Sequence, residues 1–160
     1  MNNNLIITIG REYGTGGREI GQKLALRLGV PFYDRELITR AAKKTGFDEK
    51  LFEQLDKRAT NSFLYSLTMF GSVGLNGMSL TDQLYLAQAN IIREMAEDSS
   101  CVIVGRCADH VLRDFPNKFD FFIHGSIEDR VKRVQTCGDY VIEGKTPEAA
   151  LEKMDKQRST

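Results

Sequence analysis

The sequence has no excess charge of either sign: 22 lysines and arginines offset 22 aspartates and glutamates. A dedicated nucleic-acid binder carries a basic surplus, so nucleic acid is not an expected partner. Long hydrophobic runs are also missing. No stretch approaches the roughly 18 apolar residues that cross a bilayer, so no membrane partner is expected. The opening MNNNLIITIG lacks the basic flank and long apolar core of a secretory signal. Cysteine is scarce: Cys101, Cys107 and Cys137 are odd in number and form no CxxC, which excludes a disulfide framework and a zinc knuckle. The two histidines, His110 and His124, have no second ligand at a metal-binding spacing, so no resident protein metal site is expected. What is present is an apolar fraction of 41% and a charged fraction of 28% over 160 residues. That describes one globular domain over 1–160, expected to be soluble and cytoplasmic.

The order of elements carries more information. Residues 5–9, Leu-Ile-Ile-Thr-Ile, form a β-branched run that reads as a buried strand ending at Gly10. A glycine-rich loop over 10–17 follows, and then a helix. Ile20, Leu24 and Leu28 recur every four residues with Ala25 beside them, and Gly29 supplies the stop. Residues 30–34 read as a short strand, followed by a helix through Leu37, Ile38 and Ala41. Residues 57–80 mix aromatics, methionines and glycines without a sustained period, and read as an irregular insertion, or else as a mobile flap or a self-association surface. Ser79 and Asp82 have capping-box spacing ahead of a helix carrying Leu84, Ala87, Ile91, Ile92 and Met95. Strands are expected over 101–105 and 119–123, with Phe119, Phe121 and Phe122 in the core and Cys107 buried. Ser126 and Asp129 open a further helix, a loop covers 138–145, and Pro147 begins the last helix. Strands alternating with helices over short connections indicate a parallel sheet.

A strand running through glycines into a helix is a phosphate site in physical terms. The glycines let backbone N–H groups converge, and the helix N-terminus adds partial positive charge. Gly14, Thr15, Gly16, Gly17, Arg18 and Glu19 make up that segment. The literal GxxxxGK[ST] pattern is absent. Counted without a gap from Gly16, Gly17 stands where lysine belongs and Arg18 where Ser or Thr holds magnesium. With one residue inserted, Arg18 takes the lysine position and Glu19 the magnesium position. The loop is degenerate either way. Glu19 either reaches magnesium through water or is a first-turn residue favoured by the helix dipole. A GxGxxG fingerprint is missing, which disfavours a dinucleotide-binding dehydrogenase.

The chain resembles the cytidylate kinase-like proteins, a branch of the P-loop nucleoside-monophosphate kinases. The resemblance lies in GREYGTGGREI over 10–20, in PFYD over 31–34, and in VGRCAD over 104–109. Ordinary cytidylate kinases have Gly-Arg-Asp at the last of these places, so Arg106 matches and Cys107 departs. The resemblance implies a P-loop NTPase-type three-layer α/β/α fold with a parallel sheet in the order 2-3-1-4. It also implies a fifth strand, which is not read before Thr160.

The implied reaction is transfer of the γ-phosphoryl of ATP, carried with Mg2+, to a nucleoside monophosphate or similar small acceptor. By the same resemblance Arg18, Arg130, Arg133 and Arg158 stabilise charge in transfer, with a lid over 130–158. Asp34, Arg40, Arg106, Asp155 and Arg158 form the acceptor side. Asp34 has an alternative as the cap of the helix that follows it. Two other readings stay open: a nucleotide-binding regulatory protein with impaired catalysis, which the missing lysine favours, and a kinase for an acceptor other than CMP, which Cys107 favours. A homo-oligomer through 57–80 is the expected partner state.

Overall fold

The computed structural model describes residues 3–35, 37–38, 80–137 and 146–159. The helix expected through Ala41 lies outside them from residue 39 on, as do residues 57–79 of the stretch read as an insertion, flap or self-association surface, the cap at Ser79 and the loop 138–145. In chain order the elements are β1 (Ile6–Arg11), α1 (Gly17–Leu28), β2 (Phe32–Tyr33), α2 (Leu80–Asp98), β3 (Cys101–Val104), α3 (Ala108–Val111), β4 (Lys118–Ile123), α4 (Ile127–Thr136) and α5 (Pro147–Ser159).

The four strands form one sheet in the order β2-β3-β1-β4, and every pairing is parallel. Ile6 stands opposite Cys101 and Lys118, so β1 is flanked on both sides. This is the α/β architecture and strand order that the resemblance implies. A strand buried on both faces must be apolar at every position, and β3 is: Cys101, Val102, Ile103 and Val104 are all fully buried. Its residues alternate between two cores. Cys101 and Ile103 join Ile6, Ile92 and Leu112 under α2 and α3. Val102 and Val104 join Ile7, Ile9 and Ala25 under α1. Burial of such aliphatic side chains stabilises the fold by about 1.5–3 kcal/mol apiece.

Two packing expectations are corrected. The face of α1 on the sheet is Gly21 and Ala25 with Leu24, whereas Ile20 and Leu28 are more than 40% exposed. The stripe is rotated because Gly21 lets the helix approach closely: a Cβ there would meet Val104 Cγ2 at 2.7 Å. Phe119, Phe121 and Phe122 are at least half exposed. They lie on β4, at the edge of this sheet, and side chains that stand above and below a strand are buried only where other elements pack on its faces.

Candidate active site

The glycine loop lies at the carboxyl end of β1, where open α/β sheets bind ligands. The Glu12 N–H donates to the Ile123 carbonyl at 3.0 Å, and the Thr15 hydroxyl donates to the Glu12 carbonyl at 2.9 Å. Gly14 (φ 83°) and Gly16 (φ 76°) take left-handed backbone conformations that disfavour residues with a Cβ. They also make room for α4. A Cβ at Gly14 would lie 2.9 Å from Val134 Cγ2, and one at Gly16 would lie 2.7 Å from the Arg133 guanidinium carbon. Gly16 is the N-cap of α1 and supplies no capping side chain. The first-turn N–H groups of a helix have no intrahelical acceptor.

A buried guanidinium braces the loop. Arg130, in the middle of α4, is 5% exposed. Its Nε donates to the Tyr13 carbonyl at 2.7 Å, its Nη2 pairs with Asp155 Oδ2, and its Nη1 lies 3.4 Å from Glu12 Oε2. The other Asp155 oxygen accepts from the Tyr13 N–H at 2.8 Å. The second Glu12 contact is the Gly125 N–H, donating to Oε2 at 3.0 Å. Both main-chain polar groups of Tyr13 are therefore held by α4 and α5. Register of α4 follows from its sequence: the Ser126 hydroxyl caps it, accepting from the Asp129 N–H at 3.2 Å and donating to Asp129 Oδ2 at 2.7 Å.

Two more arginines flank the N-terminus of α1. The Arg18 Nε donates to Asp34 Oδ2 at 2.8 Å, and the Asp34 Oδ1 accepts from the Leu37 N–H at 3.1 Å. Asp34 is buried; its bond from the Leu37 N–H is that of a helix cap, one of the two roles open for it, and its pairing with Arg18 was not anticipated. On the other side the Arg133 Nη2 pairs with Glu19, which also accepts from Lys23 at 2.7 Å. The Lys23 hydrogen bond and charge, and then the Arg133 charge, hold the Glu19 carboxyl below its ordinary range. A helix terminus between two guanidinium groups suits an oxyanion: the backbone can orient it, and the arginines can neutralise it on leaving Asp34 and Glu19.

The neighbouring strand contributes a second cationic point. Directly after β3, Gly105 (φ 80°), Arg106 (φ 60°) and Cys107 (φ 51°) are three consecutive left-handed residues. For the two that carry a Cβ this costs of order 1–3 kcal/mol each. Gly105 leaves the space beside it to the Arg11 guanidinium. Arg106 Nη1 donates to Gln88 Oε1 on α2 at 3.4 Å. Cys107 is exposed, a correction to its expected burial, because it starts α3 at the strand's end rather than continuing into the core.

Thus Gly14, Thr15, Gly16, Gly17, Arg18, Glu19, Asp34 and Arg133 gather around one helix terminus, and Arg106 lies at the end of the adjacent strand. Arg130 and Asp155 meet each other at Tyr13. Arg158 belongs to α5, one turn beyond Asp155, with its side chain outside the described residues; Arg40 lies outside them altogether. Glu12, Arg11 and Gln88 were not anticipated. Gln88 had a signal: it is a polar residue four positions before Ile92, on the buried side of its helix.

A family model described as the cytidylate kinase-like family matches residues 6–160. Among curated proteins none matches significantly. The fold is similar to the crystal structure of an uncharacterized protein from Eubacterium ventriosum ATCC 27560, with 33% identity and a TM-score of 0.63 over 98% of this chain and 74% of that one. It is also similar to a gluconokinase from Sinorhizobium meliloti 1021, with 16% identity and a TM-score of 0.50 over 98% of this chain and 76% of that one.

Proposed function

Because the chain belongs to the cytidylate kinase-like family, we propose that it is a nucleotide kinase, transferring the γ-phosphoryl of ATP to a nucleoside monophosphate such as CMP. The observation that carries this reading is the glycine-bounded N-terminus of α1 held between Arg18 and Arg133, with Arg106 at the end of the next strand. Phosphoryl transfer asks little covalent chemistry of a protein. It needs alignment of donor and acceptor and stabilisation of spreading negative charge.

In this reading the backbone of Gly14 to Gly17 and the Arg18 guanidinium bind the donor β- and γ-phosphates, and Arg133 neutralises charge from the α4 side. Arg18 turns from Asp34 to the phosphates, and Asp34 keeps its place as the cap of the following helix. Glu19 and Asp34, the carboxylates beside the N-terminus of α1, would hold Mg2+ through water, and the ion would neutralise charge on the triphosphate. Arg106 binds the acceptor, joined by Arg40 and Arg158 on the family resemblance alone. Arg130 and Asp155 serve by holding the loop in shape. The whole chain acts as one domain, with α4 and α5 as its lid.

The test is ADP release from ATP and Mg2+ with CMP, dCMP or UMP as acceptor, followed by calorimetry with each nucleotide. Acceptor-dependent ADP release is the expected result; ATP binding without release for any acceptor would overturn it. A second reading, nucleotide binding without turnover, is favoured by the missing lysine and Ser or Thr of the loop, and that same outcome would support it.

A further inference from the structure

Gln88 lies on α2, outside every motif discussed above, yet it touches the arginine that ends the next strand. It is 5% exposed, on a helix face whose other buried members, Ala89, Ile91, Ile92 and Ala96, are apolar. A buried carboxamide in such a place must satisfy an acceptor and two donors. Its oxygen accepts from Arg106 Nη1 at 3.4 Å. Arginine has only donors, so the carbonyl end must face it and the amide nitrogen must point elsewhere. That nitrogen, Nε2, is buried and has no hydrogen-bond partner among the described residues. An orphaned donor costs stability, and an apolar side chain of the same shape would not carry that cost. Arg106 itself is presented on strained left-handed backbone. Two costly features therefore meet at one point, a pattern found at ligand sites rather than in packing cores.

We propose that Gln88 is part of the acceptor site. Its carbonyl steadies the Arg106 guanidinium, and its amide N–H donates to the same oxyanion that Arg106 binds, the phosphate of the acceptor. The chemistry selects an oxyanion because both groups are donors and one is charged. The assignment of the oxyanion to a nucleotide rests on the kinase reading above; the oxyanion site itself does not.

The experiment combines two variants with nitrogen-15 spectra of the wild-type side-chain amides. Gln88→Met keeps the shape and removes both ends of the carboxamide. It is expected to raise the KM for CMP about tenfold or more, the scale of one hydrogen bond to a charged group. The KM for ATP should stay within about twofold and the thermal midpoint at or above wild type, because the orphaned donor is gone. Gln88→Glu keeps an oxygen toward Arg106 but sets a negative charge against the phosphate, so its loss should be at least as large. The amide pair missing from the Gln88→Met spectrum should shift in wild type on adding inorganic phosphate or CMP, and stay in place with cytidine. A pair unmoved by phosphate and CMP in a protein that phosphorylates CMP overturns the proposal and leaves the kinase reading standing. A pair that shifts with inorganic phosphate in a protein inert toward CMP, dCMP and UMP supports the oxyanion site at Gln88 and sinks the kinase reading. A pair that shifts with neither, in a protein that does not turn CMP over, sinks both.

Discussion

Arg130→Met removes the guanidinium that braces the loop while keeping most of its buried stem. Three contacts go: the 2.7 Å hydrogen bond to the Tyr13 carbonyl, the pair with Asp155, and the 3.4 Å approach to Glu12. Removing one partner of a fully buried ion pair costs about 3–5 kcal/mol. The carboxylate side chains are 29% and 31% exposed, so water takes over part of their solvation and the lower end applies. A loss of about 3 kcal/mol lowers the thermal midpoint by about 6–12 °C at 2–4 °C per kcal/mol for a chain of this size. Calorimetric melting of wild type, Arg130→Met, Asp155→Asn and the double variant measures it. The double variant should cost less than the sum of the singles, because it leaves no uncompensated Asp155 carboxylate facing the thioether at position 130. An Arg130→Met protein that melts like wild type and has lost only ATP affinity would refute the brace. It would assign Arg130 to the donor phosphates, as the family resemblance implies.

Further outcomes follow from the same geometry. Arg18→Ala should weaken ATP binding roughly 10- to 150-fold by calorimetry, the equivalent of about 1.5–3 kcal/mol for bonds to a charged group; unchanged affinity would leave Arg18 to Asp34 alone. Burial raises the Asp120 carboxyl, but hydrogen bonds from Lys118 and Thr8 outweigh it and hold the group below its ordinary value. Its contribution to stability is therefore present above about pH 4 and lost as pH falls through the depressed value, so Asp120→Asn should flatten the acid limb of a stability-versus-pH curve. A limb as steep as wild type would count against it. Burial pushes the Cys101 thiol up to about 11, whereas Cys107 is exposed. A thiol reagent at pH 8 should label Cys107 in the folded protein and reach Cys101 only on unfolding; native labelling of Cys101 at a comparable rate would contradict its burial.

The strands and their parallel arrangement were legible because β-branched runs and short strand–helix connections are local signals. The alternation of Cys101 and Ile103 against Val102 and Val104 between two cores follows directly from such a run. The caps at Ser126 and Asp34 were legible for the same reason. Position in the sheet was not local. Phe119, Phe121 and Phe122 look alike in a central strand and at an edge, and only the strand order, drawn from resemblance, distinguishes them. The helix α1 misled because the period marks Ile20 and Leu28, while contact distance to the sheet favours the small residues Gly21 and Ala25. In the candidate site, the glycine loop was readable from its own residues. The partners of Arg130 were not, since they come from Tyr13 and Asp155, far away on both sides of it in the chain.

The brace at Tyr13 joins groups 142 residues apart. A contact of that span closes late in folding, after the loop-closure entropy of the intervening chain has been overcome. During synthesis at about 5–20 residues per second, roughly 7–28 s separate the emergence of Tyr13 from that of Asp155. Through that interval β1 and α1 can dock, because their contacts are local, while the glycine loop between them lacks the full set of its Tyr13 restraints. The loop's final shape is then imposed by α5, the later of its two bracing helices to arrive. An assay of nascent chains of increasing length should find the N-terminal strand and helix protected from proteolysis before the loop is, with loop protection appearing only once α5 is free to fold back.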